Sequence, residues 1–334
     1  MLDERTAPVP GLVARPYAGP ADLPDAVRVK NAEWAADDVR ARESVADLGA
    51  WWSHPSEQFD ASRDVELVEL DGRVVALIER SWADASDGVR EYRCRGWVVP
   101  EVRRRGIGSW LLARNEAANR AMAATHDTDR PRVFELGTAD TSVGGPIVVR
   151  RAGYAPVRWF ADMERSLTDE LPDIPPLPDG LEVRPATPDD APAIWRADHE
   201  AFRDHWGGFD DSEASYRRWV ESSEFQPDLM VVAWDGEEVA GAVLNAVYPE
   251  ENEQLGISRA WLDSVFTRRA WRRRGLGRAL IVRALHLLRE RGYETAALGV
   301  DADNPSGAFG LYESAGFAVS ERSTAWRKPM EEAR

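Results

Sequence analysis

A cluster of arginines and glycines, Arg272-x-x-Gly275-x-Gly277, separates a stretch with strand character from one with helical character. Residues 261–267 predict a strand, and the residues after Gly277 carry apolar side chains at helical spacing. A glycine turn that leads from a strand into a helix exposes backbone N–H groups at the positive end of the helix dipole, and such a site binds phosphate. The dinucleotide fingerprint G-x-G-x-x-G is not met because residue 280 is Leu280, and the lysine of a Walker loop is absent. The cluster therefore predicts a phosphate-binding loop, with a plain tight turn as the alternative.

A second group of chemically useful residues follows the strand predicted at 295–300. Asn304, Ala308 and Tyr312 are spaced four residues apart, which would place them on one face of a helix. Asn304 is a suitable N-cap, and the proline that follows it is acceptable at the first helical position. We therefore expect a short helix that carries the phenol of Tyr312.

The strands, helices and turns around these residues occur twice in the chain. Both halves contain, in the same order, an opening strand, an Asp-Gly hairpin turn, the arginine–glycine loop and a closing Ala-Gly-aromatic turn. A connector with four prolines, residues 168–179, separates them. We therefore predict two tandem α/β domains, residues 1–167 and 180–330, each a mixed, mostly antiparallel sheet with flanking helices. The paired landmarks are Gly11–Pro16 with Gly180–Pro185, Asp71-Gly72 with Asp235-Gly236, residues 103–108 with 272–277, and Arg151–Tyr154 with Ser314–Phe317.

Taken together, the loop and the Asn-Ala-Tyr helix resemble the two signatures of the GNAT superfamily of acyltransferases. That resemblance covers residues 180–330 and, more weakly, the first half. It implies acetyl-CoA as co-substrate, bound by the loop and by the end of the strand before it. The residues it assigns to this site are Val265, Phe266, Thr267, Arg272, Arg273, Arg274, Gly275, Leu276, Gly277, Arg278 and Asn304. The first half offers a second possible CoA site at Val98, Arg103, Arg104, Arg105, Gly106, Gly108 and Ser109.

The resemblance also implies catalytic roles. Asp263 is a candidate base that removes a proton from the attacking amine, directly or through water, and strand alternation would place it on one face with Val265 and Thr267. Tyr312 is a candidate acid for the departing thiolate, because a phenol keeps its proton at neutral pH. His205 is an alternative base, and Trp206 a candidate wall of the acceptor pocket.

The two halves are expected to be unequal. Alignment of the closing turns places Val149 opposite Tyr312, so the first half lacks the candidate acid, and we expect a non-catalytic copy that still has a phosphate loop. Tyr154 is the alternative acid in that half. Within the superfamily, the tandem architecture and residues 300–304 are similar to actinobacterial mycothiol synthases, which acetylate an amino-sugar cysteine conjugate. The alternatives left open are such an acceptor, another small primary amine, or a sensor that binds acyl-CoA without turnover.

Composition narrows the functional classes. The formal charge of −16 disfavours nucleic acid as a partner, because binding to phosphate backbones needs a basic surface. No apolar run approaches the roughly 20 residues of a membrane span. The single cysteine, Cys94, excludes a disulfide within the chain and a cysteine-based zinc site, and we expect no metal. We expect a cytoplasmic enzyme, monomeric or homodimeric, with a small-molecule amine as its acceptor.

Overall fold

The computed structural model describes residues 6–203, 205–207, 210–303 and 307–330. These residues form two compact units. The first unit holds the described residues up to Trp159, those between Trp206 and Arg218, and those from Arg322 onward. The second holds Phe160–His205 and Trp219–Glu321.

The described residues of the first half supply six strands and five α-helices to these units. They are β1 (Leu12–Pro16), α1 (Leu23–Ala36), α2 (Val45–Ser53), α3 (Ala61–Asp64), β2 (Val65–Leu70), β3 (Arg73–Asp84), β4 (Arg90–Val98), α4 (Ile107–Ala123), β5 (Arg132–Ala139), α5 (Gly145–Arg151) and β6 (Ala155–Ser166).

Among the described residues, the second half repeats this order from the end of the proline-rich connector, except that it lacks an α-helical counterpart of α3 and has an additional helix before its third-last strand. Its elements are β7 (Glu182–Arg184), α6 (Ala191–Phe202), α7 (Glu213–Glu221), β8 (Val231–Asp235), β9 (Glu238–Ala246), α8 (Pro249–Leu255), β10 (Arg259–Thr267), α9 (Leu276–Glu290), β11 (Thr295–Asp301), α10 (Ala308–Ser314) and β12 (Ala318–Pro329).

The last strand of each half pairs with a strand from the other half. In the first unit the sheet runs β1-β2-β3-β4-β5-β12, because Ser323–Pro329 of β12 lie antiparallel to β5. In the second unit it runs β6-β11-β10-β9-β8-β7, because Phe160–Ser166 of β6 lie antiparallel to β11. The sequence boundaries at 167 and 180 do fall in a segment without helix or strand. The compact units, however, follow the exchanged strands rather than those boundaries.

Each unit is a mixed, mostly antiparallel sheet flanked by helices, as the sequence predicts. Within the two sheets, the parallel pairs are β4–β5 and β10–β11. In the second unit α9 covers one face of the sheet with an apolar stripe that includes Leu280, Ala284 and Leu288. Helix α6 packs against the other face, where Ile194 meets Phe266 and the strands β8 and β9. The proline-rich connector is fixed to α9, since the carbonyls of Pro172 and Pro175 accept hydrogen bonds from His286 and Arg283.

Candidate active site

Strands β10 and β11 begin side by side and then separate. Their ladder contains only the pairs of Arg259–Trp261 with Thr295–Ala297, although β10 continues to Thr267 and β11 to Asp301. Beyond Trp261 the sheet of the second unit therefore has a V-shaped opening, with β10 as one of its walls.

The glycine loop lies at the end of that wall. Arg273 and Gly275 adopt positive φ values of 61° and 81°, and α9 starts immediately afterwards at Leu276. A turn of this kind at a helix N-terminus exposes backbone N–H groups in front of the helix, and such a turn is suited to bind an anion. Gly277 carries no positive φ; a Cβ atom there would lie 3.5 Å from Leu311 and 3.7 Å from Thr267.

The four arginines of the loop have different environments. Arg272 donates to the carbonyls of Thr267 (2.9 Å) and Ala201 (3.1 Å), so its guanidinium holds the loop in place. Arg278 donates to the carbonyl and hydroxyl oxygens of Ser314, which joins the start of α9 to the end of α10. Arg273 and Arg274 are exposed.

A β-bulge interrupts the alternation of side chains along β10, which the sequence predicts to be regular. The register with β9 shifts between Leu262 and Ser264, so Asp263 is an extra residue in the ladder. Val265 packs on the α9 side with Leu262, and Asp263 lines a pocket on the α6 side together with Ser264. The expectation that Asp263, Val265 and Thr267 share one face is therefore wrong, because the bulge resets the alternation.

The pocket beside the bulge has a volume of about 200 Å³. It combines acidic and aromatic walls, and α6 supplies Trp195 and Asp198 from adjacent turns. Neither of these residues stands out by its spacing from other helix residues, and neither was predicted from the sequence. The pocket is lined by Trp195, Asp198, Trp219, Glu224, Leu244, Asp263 and Ser264.

Two carboxyl groups of the pocket, those of Asp263 and Asp198, bind protons more tightly than ordinary carboxyls. Asp263 is an exposed residue, but the side chains around its carboxylate exclude water, and this desolvation is the main cause of a pKa raised to about 7. The carboxylates of Glu224 and Glu251 contribute in the same direction, and a hydrogen bond of 2.8 Å from the Tyr248 hydroxyl opposes them. Burial also raises the pKa of Asp198, against the hydrogen bond donated by the Ser264 hydroxyl and the charge of His199.

Tyr312 lies on α10 and is buried among the apolar residues of the α9 side, in edge contact with Phe317. Burial raises the pKa of its phenol to about 12, so the hydroxyl is protonated at neutral pH. The predicted helix begins later than expected, at Ala308 with Gly307 as its N-cap. Asn304 lies outside the described residues.

His205 and Trp206 do not line this pocket. His205 packs against Phe202 at a ring distance of 5.0 Å in the second unit. Trp206 belongs to the first unit, where the guanidinium of Arg327 lies 4.4 Å from its ring centroid. The aromatic walls of the pocket are instead Trp195 and Trp219, whose rings lie 5.4 Å apart.

The first unit repeats the loop geometry. Arg104 and Gly106 have φ values of 61° and 84°, close to those of Arg273 and Gly275. Helix α5 matches α10 residue for residue, which places Val149 at the position of Tyr312. The hydroxyl of Tyr154 faces the buried Cys94 thiol at 4.0 Å, inside the core.

Neighbouring elements already contact the residues of the second possible CoA site. The Val98 N–H donates to the carboxylate of Glu33, and Arg103 pairs with Asp37 at 2.6 Å. Arg104 and Arg105 are exposed, while Gly108 and Ser109 lie in the first turn of α4.

Among the residues described, no group of three or more histidine, cysteine or acidic side chains is arranged to hold a metal ion. No helix in the described part of the chain is long and apolar enough to cross a membrane.

Comparisons with known proteins agree with the geometry. Residues 192–317 match the Acetyltransferase (GNAT) family. The chain is 28% identical to the mycothiol acetyltransferase of Geodermatophilus obscurus over 92% of this chain and 95% of that protein. It is 30% identical to the one of Rhodococcus erythropolis over 75% of this chain and 80% of that protein. A solved GCN5-related N-acetyltransferase from Sphaerobacter thermophilus superposes with a TM-score of 0.69 at 26% identity, covering 96% of both chains. A tandem GNAT protein from the clavulanic acid pathway has the same fold, with a TM-score of 0.68 at 19% identity over 97% of this chain and 100% of that one.

Proposed function

The chain belongs to the GNAT acetyltransferase family, and from this membership we propose that its second half transfers the acetyl group of acetyl-CoA to the primary amine of a small cationic molecule. Proteins of this family are acetyltransferases, so the sensor without turnover is set aside. The observation that carries the proposal is the pocket at the β10 bulge, where Asp263 has a pKa of about 7 beside the V-shaped opening.

The residues of the second unit fit acetyl-CoA. The turn at Arg273 and Gly275 offers backbone N–H groups to a pyrophosphate, and the space beside Gly275, where no described atom lies within 4 Å of the position that a Cβ atom would take, allows close approach. The wall of the opening leads from this loop towards Asp263. Bound acetyl-CoA supplies a thioester whose carbonyl carbon accepts the amine.

Two residues handle the protons of the reaction. A primary amine has a pKa near 10, so it is mostly protonated at neutral pH and must lose a proton before or during attack. Asp263 takes that proton, and its raised pKa makes it a stronger base than an ordinary carboxylate. As the new C–N bond forms and the C–S bond breaks, the Tyr312 hydroxyl donates its proton to the departing thiolate sulfur.

The acceptor is recognised by charge and by aromatic faces. Asp198, Glu224 and Asp263 favour a cation in the pocket, and the indoles of Trp195 and Trp219 stabilise one further. The name of the relatives favours a second candidate acceptor, a cysteine–amino-sugar conjugate, which also carries a primary amine.

A spectrophotometric assay of CoA release distinguishes these acceptors. Polyamines, aminoglycosides, amino acids and amino sugars are compared with the cysteine–amino-sugar conjugate at equal concentration. Acceptor-dependent thiol release with any of these amines supports acetyl transfer, and the best kcat/KM identifies the class. Thiol release that no amine stimulates contradicts the proposal.

A further inference from the structure

The two halves hold the first arginine of their glycine loops in the same way, which gives a residue-by-residue comparison of the two sites. In the second unit Arg272 donates to the carbonyls of Thr267 and Ala201 at 2.9 and 3.1 Å. In the first unit Arg103 donates to the carbonyls of Val98 and Glu33 at 3.3 and 3.5 Å. Val98 therefore corresponds to Thr267, and Glu33 to Ala201.

This correspondence exposes a difference at the end of the strand wall. The side chain of Glu33 turns back onto β4, and its carboxylate accepts a hydrogen bond of 2.5 Å from the Val98 N–H. The equivalent residue in the second unit, Ala201, has only a methyl group and cannot accept from Thr267. Burial raises the pKa of the Glu33 carboxyl to about 7, and either protonation state presents an acceptor oxygen to this N–H.

The electrostatics of the first site also oppose an anionic ligand. Glu33 and Asp37 both contact Arg103, so the first arginine of this loop is paired with carboxylates. The residues at the matching positions of the second half are Ala201 and His205, which carry no negative charge.

The N-terminal segment covers the glycine turn of the first unit. A Cβ atom on Gly106 would lie 3.3 Å from Pro8, whereas a Cβ atom on Gly275 would have no described atom within 4 Å. The segment is anchored, because Val9 is buried in the same core as Val98 and Ile107.

We infer that Glu33 and Pro8 close the first half to acyl-CoA, so that each chain binds one acyl-CoA, in its second half. The carboxylate of Glu33 accepts a hydrogen bond from the Val98 N–H, whereas the corresponding N–H of Thr267 in the second half would serve the ligand. Pro8 covers the turn that would otherwise bind the pyrophosphate. The count of one site rests on the proposed function of the second half.

Calorimetric titration with CoA tests the closure. The wild-type chain should bind one equivalent, and two equivalents would overturn the inference. Gly277→Glu places bulk and negative charge in the second loop and should abolish binding. In that background, Glu33→Ala with Pro8→Gly should restore about one equivalent. Glu33→Gln with Pro8→Gly should not, because the amide oxygen still accepts from Val98.

One control shows that a loss of binding is not a loss of folding. Each variant must unfold with the same cooperativity as the Gly277→Glu parent in a thermal scan monitored by circular dichroism. If the alanine variant folds and binds no CoA, the assignment of the closure to Glu33 is overturned. If the wild type binds none, the proposed function of the second half fails, and the variants in the Gly277→Glu background still report on the first site by themselves.

Discussion

The raised pKa of Asp263 predicts how kcat/KM depends on pH, including the direction of the change. With a pKa of about 7, roughly a tenth of Asp263 is ionised at pH 6 and roughly nine-tenths at pH 8. If the carboxylate is the base, kcat/KM should rise about tenfold per pH unit below 7 and level off above about 8. Asp263→Asn should lower kcat by about 10²–10⁴-fold and remove this limb of the profile.

Two neighbouring substitutions should move the limb in opposite directions. Glu224 raises the pKa of Asp263 by charge repulsion, so Glu224→Gln should shift the midpoint to lower pH while it keeps the side-chain volume. The Tyr248 hydroxyl lowers this pKa by donating to the carboxylate, so Tyr248→Phe should shift the midpoint to higher pH. The assay is kcat/KM for the best acceptor between pH 5.5 and 9 (about half-unit steps). A midpoint that stays fixed in both variants, or survives in Asp263→Asn, refutes the role of Asp263.

Further predictions concern Tyr312 as the proton donor, the exchanged strand β12, and whether each half folds by itself. Tyr312→Phe should leave CoA affinity within about twofold and lower turnover by about 10²–10⁴-fold, measured by calorimetry and thiol release; turnover within about threefold of wild type would reduce Tyr312 to packing. Trp326 belongs to the last strand but is buried in the first unit with Phe134 and Tyr154. Trp326→Ala should therefore lower the free energy of unfolding in urea by about 3–5 kcal/mol, and a decrease below about 1 kcal/mol would contradict that burial. When residues 1–167 and 168–334 are expressed separately, neither should unfold cooperatively, because each sheet lacks a strand that the other half supplies. Coexpression should recover a folded complex. Two halves that fold independently would contradict the strand exchange.

The sequence was sufficient to predict the repeat, the fold class and the two glycine loops. These features depend on local sequence. Residue type and spacing predict the positive φ at Gly106 and Gly275 and the helix that starts just after each glycine. The match of α5 to α10, which places Val149 opposite Tyr312, followed from the shared closing turns.

The exchanged strands were beyond prediction from the sequence. Both halves end in an Ala-Gly-aromatic turn followed by a strand, and nothing in β6 or β12 distinguishes one sheet from the other as a partner. The bulge at Asp263 is likewise a single extra residue in a continuous strand pattern. It moves Asp263 to the α6 side, where Trp195, Asp198 and Trp219 complete a pocket that sequence spacing does not reveal.

One pair of variants tests whether acetyl transfer takes place in the second half alone. Gly277→Glu and Gly108→Glu introduce the same side chain at matching positions of the two loops, and neither site has a steric obstacle to the new Cβ atom in the described structure. With the best acceptor and saturating acetyl-CoA, thiol release should fall to background in Gly277→Glu and remain within about twofold of wild type in Gly108→Glu, because only the second loop binds the donor. Equal losses in both variants, or a loss confined to Gly108→Glu, would contradict the account.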